Sequence, residues 1–105
     1  MTEKYKVLLS IKAKEDLKNI VFYIKNNLRE PVIASKYVKI IKDEIKLLSY
    51  FPQRNEIIDD DIIKDLKIRK LIIRNYIAFY RINEENNIVN IERILYSASD
   101  WIKEL

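Results

Sequence analysis

The chain has 105 residues, 20 Lys plus Arg against 16 Asp plus Glu for a net charge of +4, and 49% apolar against 34% charged residues. That length and balance suit one packed domain and exclude both a disordered chain and a second full domain. Cys, His and Gly are all absent, which excludes disulfides, thiol nucleophiles, iron–sulfur clusters, imidazole bases, His-containing zinc sites and the glycine loops of P-loop NTPases, kinases and Rossmann dehydrogenases.

The stretch from Met1 to Lys6 is polar, and no charge-free run approaches the roughly 18 residues of a membrane span. The chain therefore reads as cytoplasmic, with no membrane contact. Tyr5 to Ser10 has the β-formers and alternation of a first strand. From Ala13 to Leu28 the period changes: Leu17, Ile20, Val21, Ile24 and Leu28 recur at spacings of three and four, predicting an amphipathic helix with Ser10 as its N-cap. Glu30-Pro31 punctuates, and Pro31 suits the first turn of a second helix, because its missing N–H would be unpaired there anyway. That helix runs to about Ser49 on a stripe of Ala34, Val38, Ile41, Ile45 and Leu48, with its lysines mostly outside the stripe.

Phe51-Pro52 ends the second helix, and Asn55 to Asp65 fits neither period, so it reads as a loop. Asp59-Asp60-Asp61 with Asp65 lacks the alternating ligand spacing of a calcium loop and reads as ordinary acidic loop, leaving no metal site. Ile68 to Ile73, Tyr76 to Ile82 and Ile88 to Tyr96 then form a meander, with Asn75 and the cluster around Asn83 to Asn87 as the turn-makers that replace glycine. Ser97 with Asp100 resembles a capping box opening a short helix from Trp101 to Leu105.

If Arg74-Asn75 is a two-residue turn, Ile73 faces Tyr76, Leu71 faces Ala78 and Arg69 faces Tyr80. One sheet face then carries Arg69, Leu71, Ile73, Tyr76, Ala78, Tyr80, Ile82, Asn90, Glu92, Ile94 and Tyr96. The other carries Ile68, Lys70, Ile72, Ile77, Phe79, Arg81, Val89, Ile91, Arg93 and Leu95. Both are apolar, and two helices cover only one, so the remaining face is expected to be an exposed binding surface.

This order of elements resembles the RelE/ParE toxins of bacterial type II toxin–antitoxin systems over Tyr5 to Leu105. The residues that carry it are Ala13, Asp16-Leu17, Ile20, Tyr23-Ile24, Leu47-Leu48, Phe51-Pro52, Arg69-Lys70-Leu71, Tyr76, Phe79-Tyr80-Arg81-Ile82, Val89, Ile91, Arg93-Ile94-Leu95-Tyr96-Ser97 and Asp100-Trp101. The resemblance implies an α+β fold of order β-α-α-β-β-β with a short C-terminal helix, residues 1–105 forming one domain in which a helical hairpin packs on an antiparallel meander joined by the N-terminal strand. It implies a growth-arresting toxin without a cofactor, neutralised by a cognate antitoxin, with a heterotetramer as one form of that complex. The family's branches either cut mRNA on the ribosome with Arg, Lys and Tyr, or poison DNA gyrase. Of the nuclease cations only Lys70 is matched. The others fall on Ile77 and Ser99, and the C-terminal Tyr falls in the Asp100-Trp101-Ile102 segment.

These departures favour gyrase or another replication target. The alternatives are an endoribonuclease in which Lys70 and Arg69 are catalytic with Arg81 and Arg93 assisting, and an inactive interaction module. Counting apolar residues alone would bury the face with Ile77, Phe79, Ile91 and Leu95, whereas the resemblance makes it the lining of the family's groove. On that geometry Lys70, Ile77, Phe79, Arg81, Arg93, Leu95 and Trp101 seat an acidic, amphipathic partner segment. Arg69 reads rather as a cross-strand partner of Tyr80 and Trp101 rather as an anchor of the terminal helix, while Lys70 reads equally as a solvated strand lysine.

Overall fold

The computed structural model describes residues 4–105, so the first three residues of the polar N-terminal stretch lie outside the described residues. Strand β1 (Lys6–Leu9) is followed by helices α1 (Ile11–Phe22) and α2 (Pro31–Lys46), then by β2 (Arg69–Ile73), β3 (Tyr76–Asn83) and β4 (Ile88–Tyr96). The four strands form one sheet in the order β1-β4-β3-β2, with β1 parallel to β4 and the other pairs antiparallel. This is the expected β-α-α-β-β-β order and α+β class. Among the described residues no helix is long and apolar enough to cross a membrane.

Ser10 caps α1 as its position suggested. Its backbone is extended, and its Oγ accepts from the Ala13 N–H at 2.9 Å while donating to the Glu92 carbonyl at 2.7 Å. The apolar stripe buries Ala13, Ile20 and Ile24. It does not continue through Leu28, because the last turn widens into a π-helical turn over Tyr23–Asn27, closed by the Leu28 N–H on the Tyr23 carbonyl at 3.2 Å. Arg29 reverses the chain at φ 55°, and Glu30 is held outside the helical region ahead of Pro31, which leaves Leu28 53% exposed. Pro31 opens α2, which buries Ala34, Ile41 and Ile45, half-buries Val38 and hands on to buried Leu48 in a 3₁₀ turn.

The helical hairpin packs against one sheet face. Ile20, Ile24, Ile41, Ile45 and Leu48 meet Leu71, Ile73, Ala78, Tyr80, Val89, Ile91 and Ile94 there, and each such aliphatic side chain contributes roughly 1.5–3 kcal/mol by leaving water. The β2–β3 register is the one the two-residue turn dictates: Ile73 pairs with Tyr76, Leu71 with Ala78 and Arg69 with Tyr80. The left-handed turn residue is Arg74, at φ 57°, rather than Asn75, while Asn87 does carry the second turn at φ 54°.

Simple alternation fails along β4. Phe79 pairs with Arg93 but Tyr80 pairs with Ile91, so Glu92 is an extra, bulged residue and the two halves of β4 are out of phase. Val89 and Ile91, assigned by alternation to the second face, therefore turn to the helix side and are fully buried with Ile94.

The expected terminal helix is a single 3₁₀ turn, Trp101–Glu104. The capping box does not form: Asp100 is non-helical with no side-chain cap bond and pairs instead with Lys103 at 3.4 Å, while the Ser97 N–H donates to the Asn75 carbonyl at 2.8 Å.

Candidate functional site

The second sheet face is not an open groove. The loop expected between Asn55 and Asp65 folds back over it: the Ile58 N–H donates to the Ile68 carbonyl at 2.8 Å and Ile57 bridges to Arg69. Ile58, Ile63 and Ile68 bury Ile77 and Phe79, with Leu95, Trp101, Ile102 and Leu105 packed around them. Phe79 is 0% exposed, its ring 5.0 Å from that of Trp101 at a 40° tilt. Ile77 and Phe79, expected to line a partner's seat, thus offer no surface in this conformation, and Trp101 acts first as the lid over Phe79. Alternating Ile-Ile pairs and acids gave no period because the loop buries two single isoleucines, not a stripe. Asp60 organises its turn, accepting from the Ile62 N–H through Oδ1 at 2.8 Å and from the Lys64 N–H through its carbonyl at 2.7 Å.

The cations expected to act together are separated in role. Arg69 Nη1 donates to the carbonyls of Asn55 at 2.6 Å and Gln53 at 3.2 Å. Opposite it, buried Tyr80 donates to the Pro52 carbonyl at 2.6 Å and accepts from Asn55 Nδ2 at 3.1 Å, and burial pushes its hydroxyl above the ordinary tyrosine pKa. The pair fastens the segment after α2 to the sheet. Arg93 is gripped by Asp16, Nε to Oδ2 at 2.8 Å and Nη2 to Oδ1 at 2.9 Å, and its Nη1 reaches Glu104 Oε2 at 3.1 Å and the Glu104 carbonyl at 3.3 Å. The Asp16 hydrogen bonds hold its guanidinium charged well beyond the ordinary arginine range.

Asp16 also accepts from the Ile94 N–H at 2.9 Å, just past the point where β1 stops covering the edge of β4. Asp16 is among the residues that carry the family resemblance, but its pairing with Arg93 has no signature in the sequence beyond that of an acid on the apolar face of the first helix, between Ala13 and Ile20. Exposed Lys70 and Arg81 are the cations left outward on this face. Lys70 Nζ lies 5.6 Å from the Trp101 ring centre, at a cavity of about 700 Å³ that also takes in Arg54, Glu56, Asp59 and Asp60.

A second concavity, about 670 Å³, lies where the open end of the helical hairpin meets the β2–β3 turn, lined by Tyr23, Leu28, Ile33, Tyr37, Tyr76 and Tyr96 among others. Tyr76 stacks edge-on against Tyr37 and Tyr96, with centroids 6.2 and 5.9 Å apart, and burial raises its pKa. Tyr23, Leu28 and Tyr96 are each about half exposed, so the concavity presents apolar and aromatic surface to solvent. Tyr23 and Tyr37 lie on different helical elements, with nothing in their spacing to join them. Their convergence depends on the π-turn and on hairpin geometry, neither of which has a one-dimensional signature.

No curated protein matches the sequence. Among solved structures, the chain is similar to the chromosomal ParDE toxin–antitoxin system from Pseudomonas aeruginosa, with a TM-score of 0.73 at 21% identity over 90% of this chain and 98% of that one. It is also similar to the toxin–antitoxin complex RelBE2 from Mycobacterium tuberculosis, with a TM-score of 0.62 at 21% identity over 89% and 98%. The archaeal RelE–RelB complex from Pyrococcus horikoshii matches with a TM-score of 0.61 at 12% identity over 90% and 97%. A family model described as the ParE toxin of type II toxin–antitoxin systems matches residues 7–101, nearly the whole length. On that match, the chain belongs to the ParE toxin family of type II toxin–antitoxin systems.

Proposed function

We propose that this toxin arrests growth by engaging DNA gyrase or another replication target, acts in the cytoplasm without cofactor or metal, and is silenced by a cognate antitoxin in a heterotetramer. The observation that carries the choice of target is the engagement of the cations. A nuclease without His relies on several unpaired cations to stabilise the charge developing on the phosphate. Here Arg69 is occupied by two backbone carbonyls and Arg93 by Asp16 and Glu104. Lys70 and Arg81 alone are a thin set for that chemistry.

The antitoxin's seat is proposed along Lys70, Trp101 and Arg81, over the cluster formed by Ile77, Phe79 and Leu95, with Arg93 at its C-terminal border. An acidic segment would meet two outward cations there. The kinship with ParDE and RelBE proteins supports such a partner. One observation favours the ribonuclease reading: Lys70 and Trp101 border a common cavity, a cation beside an aromatic ring.

Induction of the chain without antitoxin in cells labelled in parallel for new DNA and new protein separates these readings. DNA synthesis stopping first, with Lys70→Ala still toxic, is the expected result. Protein synthesis stopping first, with Lys70→Ala inert, establishes the ribonuclease reading instead. Undisturbed growth marks the chain as an inactive interaction module.

A further inference from the structure

The net charge is not spread over the molecule. Between Ile11 and Lys46 lie nine of the 20 basic and five of the 16 acidic residues, so the helical hairpin carries the whole +4 and the remainder of the chain balances to zero. One of those five acids, Asp16, is buried and bound to Arg93. The solvent-facing charge of the hairpin is therefore more positive than its formula.

On α2 the lysines Lys36, Lys39, Lys42 and Lys46 are all exposed and recur at spacings of three and four, on the side away from the buried stripe of Ala34, Ile41 and Ile45. Asp43 neutralises Lys39 at 3.0 Å, which leaves Lys36, Lys42 and Lys46, spread over ten residues, without an ion-pair partner among the described residues. Their spread is about 15 Å of helix axis, a length over which duplex DNA presents about nine phosphate charges. On α1, Lys12, Lys14 and Lys18 are exposed as well. Tyr37, the aromatic residue of α2, is half-buried against the core. On α2 the face thus offers charge with no outward ring for single strands to stack on, whereas on α1 Phe22 is 64% exposed, so the principal contacts are placed on α2.

We propose that the outer face of the helical hairpin tracks the phosphate backbone of duplex DNA, with Lys36, Lys42 and Lys46 as its principal contacts. The phosphate chemistry stands on charge and spacing alone, while the choice of DNA over duplex RNA rests on the replication-directed reading above. Such contacts hold the toxin to the DNA on which its target works, and they specify no sequence.

The test uses the purified full chain and a fluorescein-labelled 20-base-pair DNA duplex, with an RNA duplex of equal length beside it, in anisotropy titrations at several salt concentrations. The expected result is DNA binding whose logarithm falls linearly with that of salt. The slope should weaken by roughly 0.9 for each lysine removed, about 2.7 in the Lys36→Gln, Lys42→Gln, Lys46→Gln variant. A control variant, Lys64→Gln, Lys67→Gln, Lys103→Gln, makes the same change of net charge outside the hairpin and should retain most of the binding. Equal losses in the two variants, or no binding above background, overturn the proposal. Binding confined to the RNA duplex overturns the choice of DNA. Because no target enzyme is present, these outcomes are independent of the pulse-labelling result. An unchanged circular-dichroism melt certifies that the exposed substitutions left the fold intact.

Discussion

Replacing Asp16 with Ala should cost the fold about 3 kcal/mol. Asp16 is 9% and Arg93 16% exposed at the side chain, and the carboxylate accepts three hydrogen bonds, two from the guanidinium and one from the Ile94 N–H. Truncation leaves that N–H without an acceptor, a loss of roughly 1–3 kcal/mol, and strips a partly buried cation of its bidentate partner. Breaking such a pair costs about 3–5 kcal/mol. Arg93 keeps Glu104, which is half exposed, so the lower end applies. A chain of 105 residues unfolds with an entropy of roughly 0.22 kcal/mol/K, which converts ~3 kcal/mol into a fall in Tm of about 14 °C.

Asp16→Asn keeps an acceptor for the Ile94 N–H but loses the charge, and should fall about 2 kcal/mol short of the parent by the same reasoning. Removing both partners, as Asp16→Leu with Arg93→Leu, should recover the part of the loss that comes from the unpaired guanidinium, leaving a deficit of about 1–3 kcal/mol for the Ile94 N–H, which still lacks its acceptor. Urea titration of the four proteins gives these values directly. A loss below about 1 kcal/mol for Asp16→Ala, or a double variant whose loss equals the sum of the losses of Asp16→Leu and Arg93→Leu measured beside it, refutes this account of the pair.

Phe79→Ala empties the centre of the second cluster beneath Trp101; a loss of about 3–5 kcal/mol in urea is expected, together with a red shift of Trp101 fluorescence as its packing partner goes. Arg74 sits at φ 57°, so Arg74→Asn, which tolerates that conformation better, should stabilise the chain by about 0.5–1 kcal/mol, read as a higher Tm. Burial raises the pKa of both Tyr76 and Tyr80 above 10.0. The folded state therefore keeps protons that the unfolded chain releases, so stability is full below pH 10 and declines as pH rises towards the folded-state values. Thermal melts from pH 8 to 11 should show that decline, and it should be shallower in Tyr80→Phe, whose neutral-pH stability is already lower by about 1–2 kcal/mol through the lost bond to Pro52.

The helices, the three-stranded meander and the β2–β3 register were legible because each follows from a local rule: stripe spacing, a proline at a first turn, or a two-residue turn that fixes which side chains face one another. Features that depend on one residue's tertiary partner were not. Glu92 suits either a regular strand or a bulge, and only the neighbouring strand decides between them. Leu28 continues the helical period in the sequence, yet the reversal at Arg29 and Pro31 turns it outward. At the site, alternation put Arg69 on one face and Lys70, Arg81 and Arg93 together on the other, but the acceptors that engage Arg69 and Arg93 are carbonyls and a carboxylate distant in the chain, which alternation does not show. Lys70 and Arg81, the outward pair, were readable from strand alternation.

The bulge at Glu92 also governs how this chain can be aligned with its relatives. On either side of it β4 is written in two reading phases, so a position that points to the helices before the bulge has no counterpart at the same parity after it. Losing one residue there would leave composition and hydropathy almost unchanged while turning Val89 and Ile91 out of the core. Single-residue gaps among toxins of this fold should therefore gather at this point, each marking a change in which surface the first half of the strand presents.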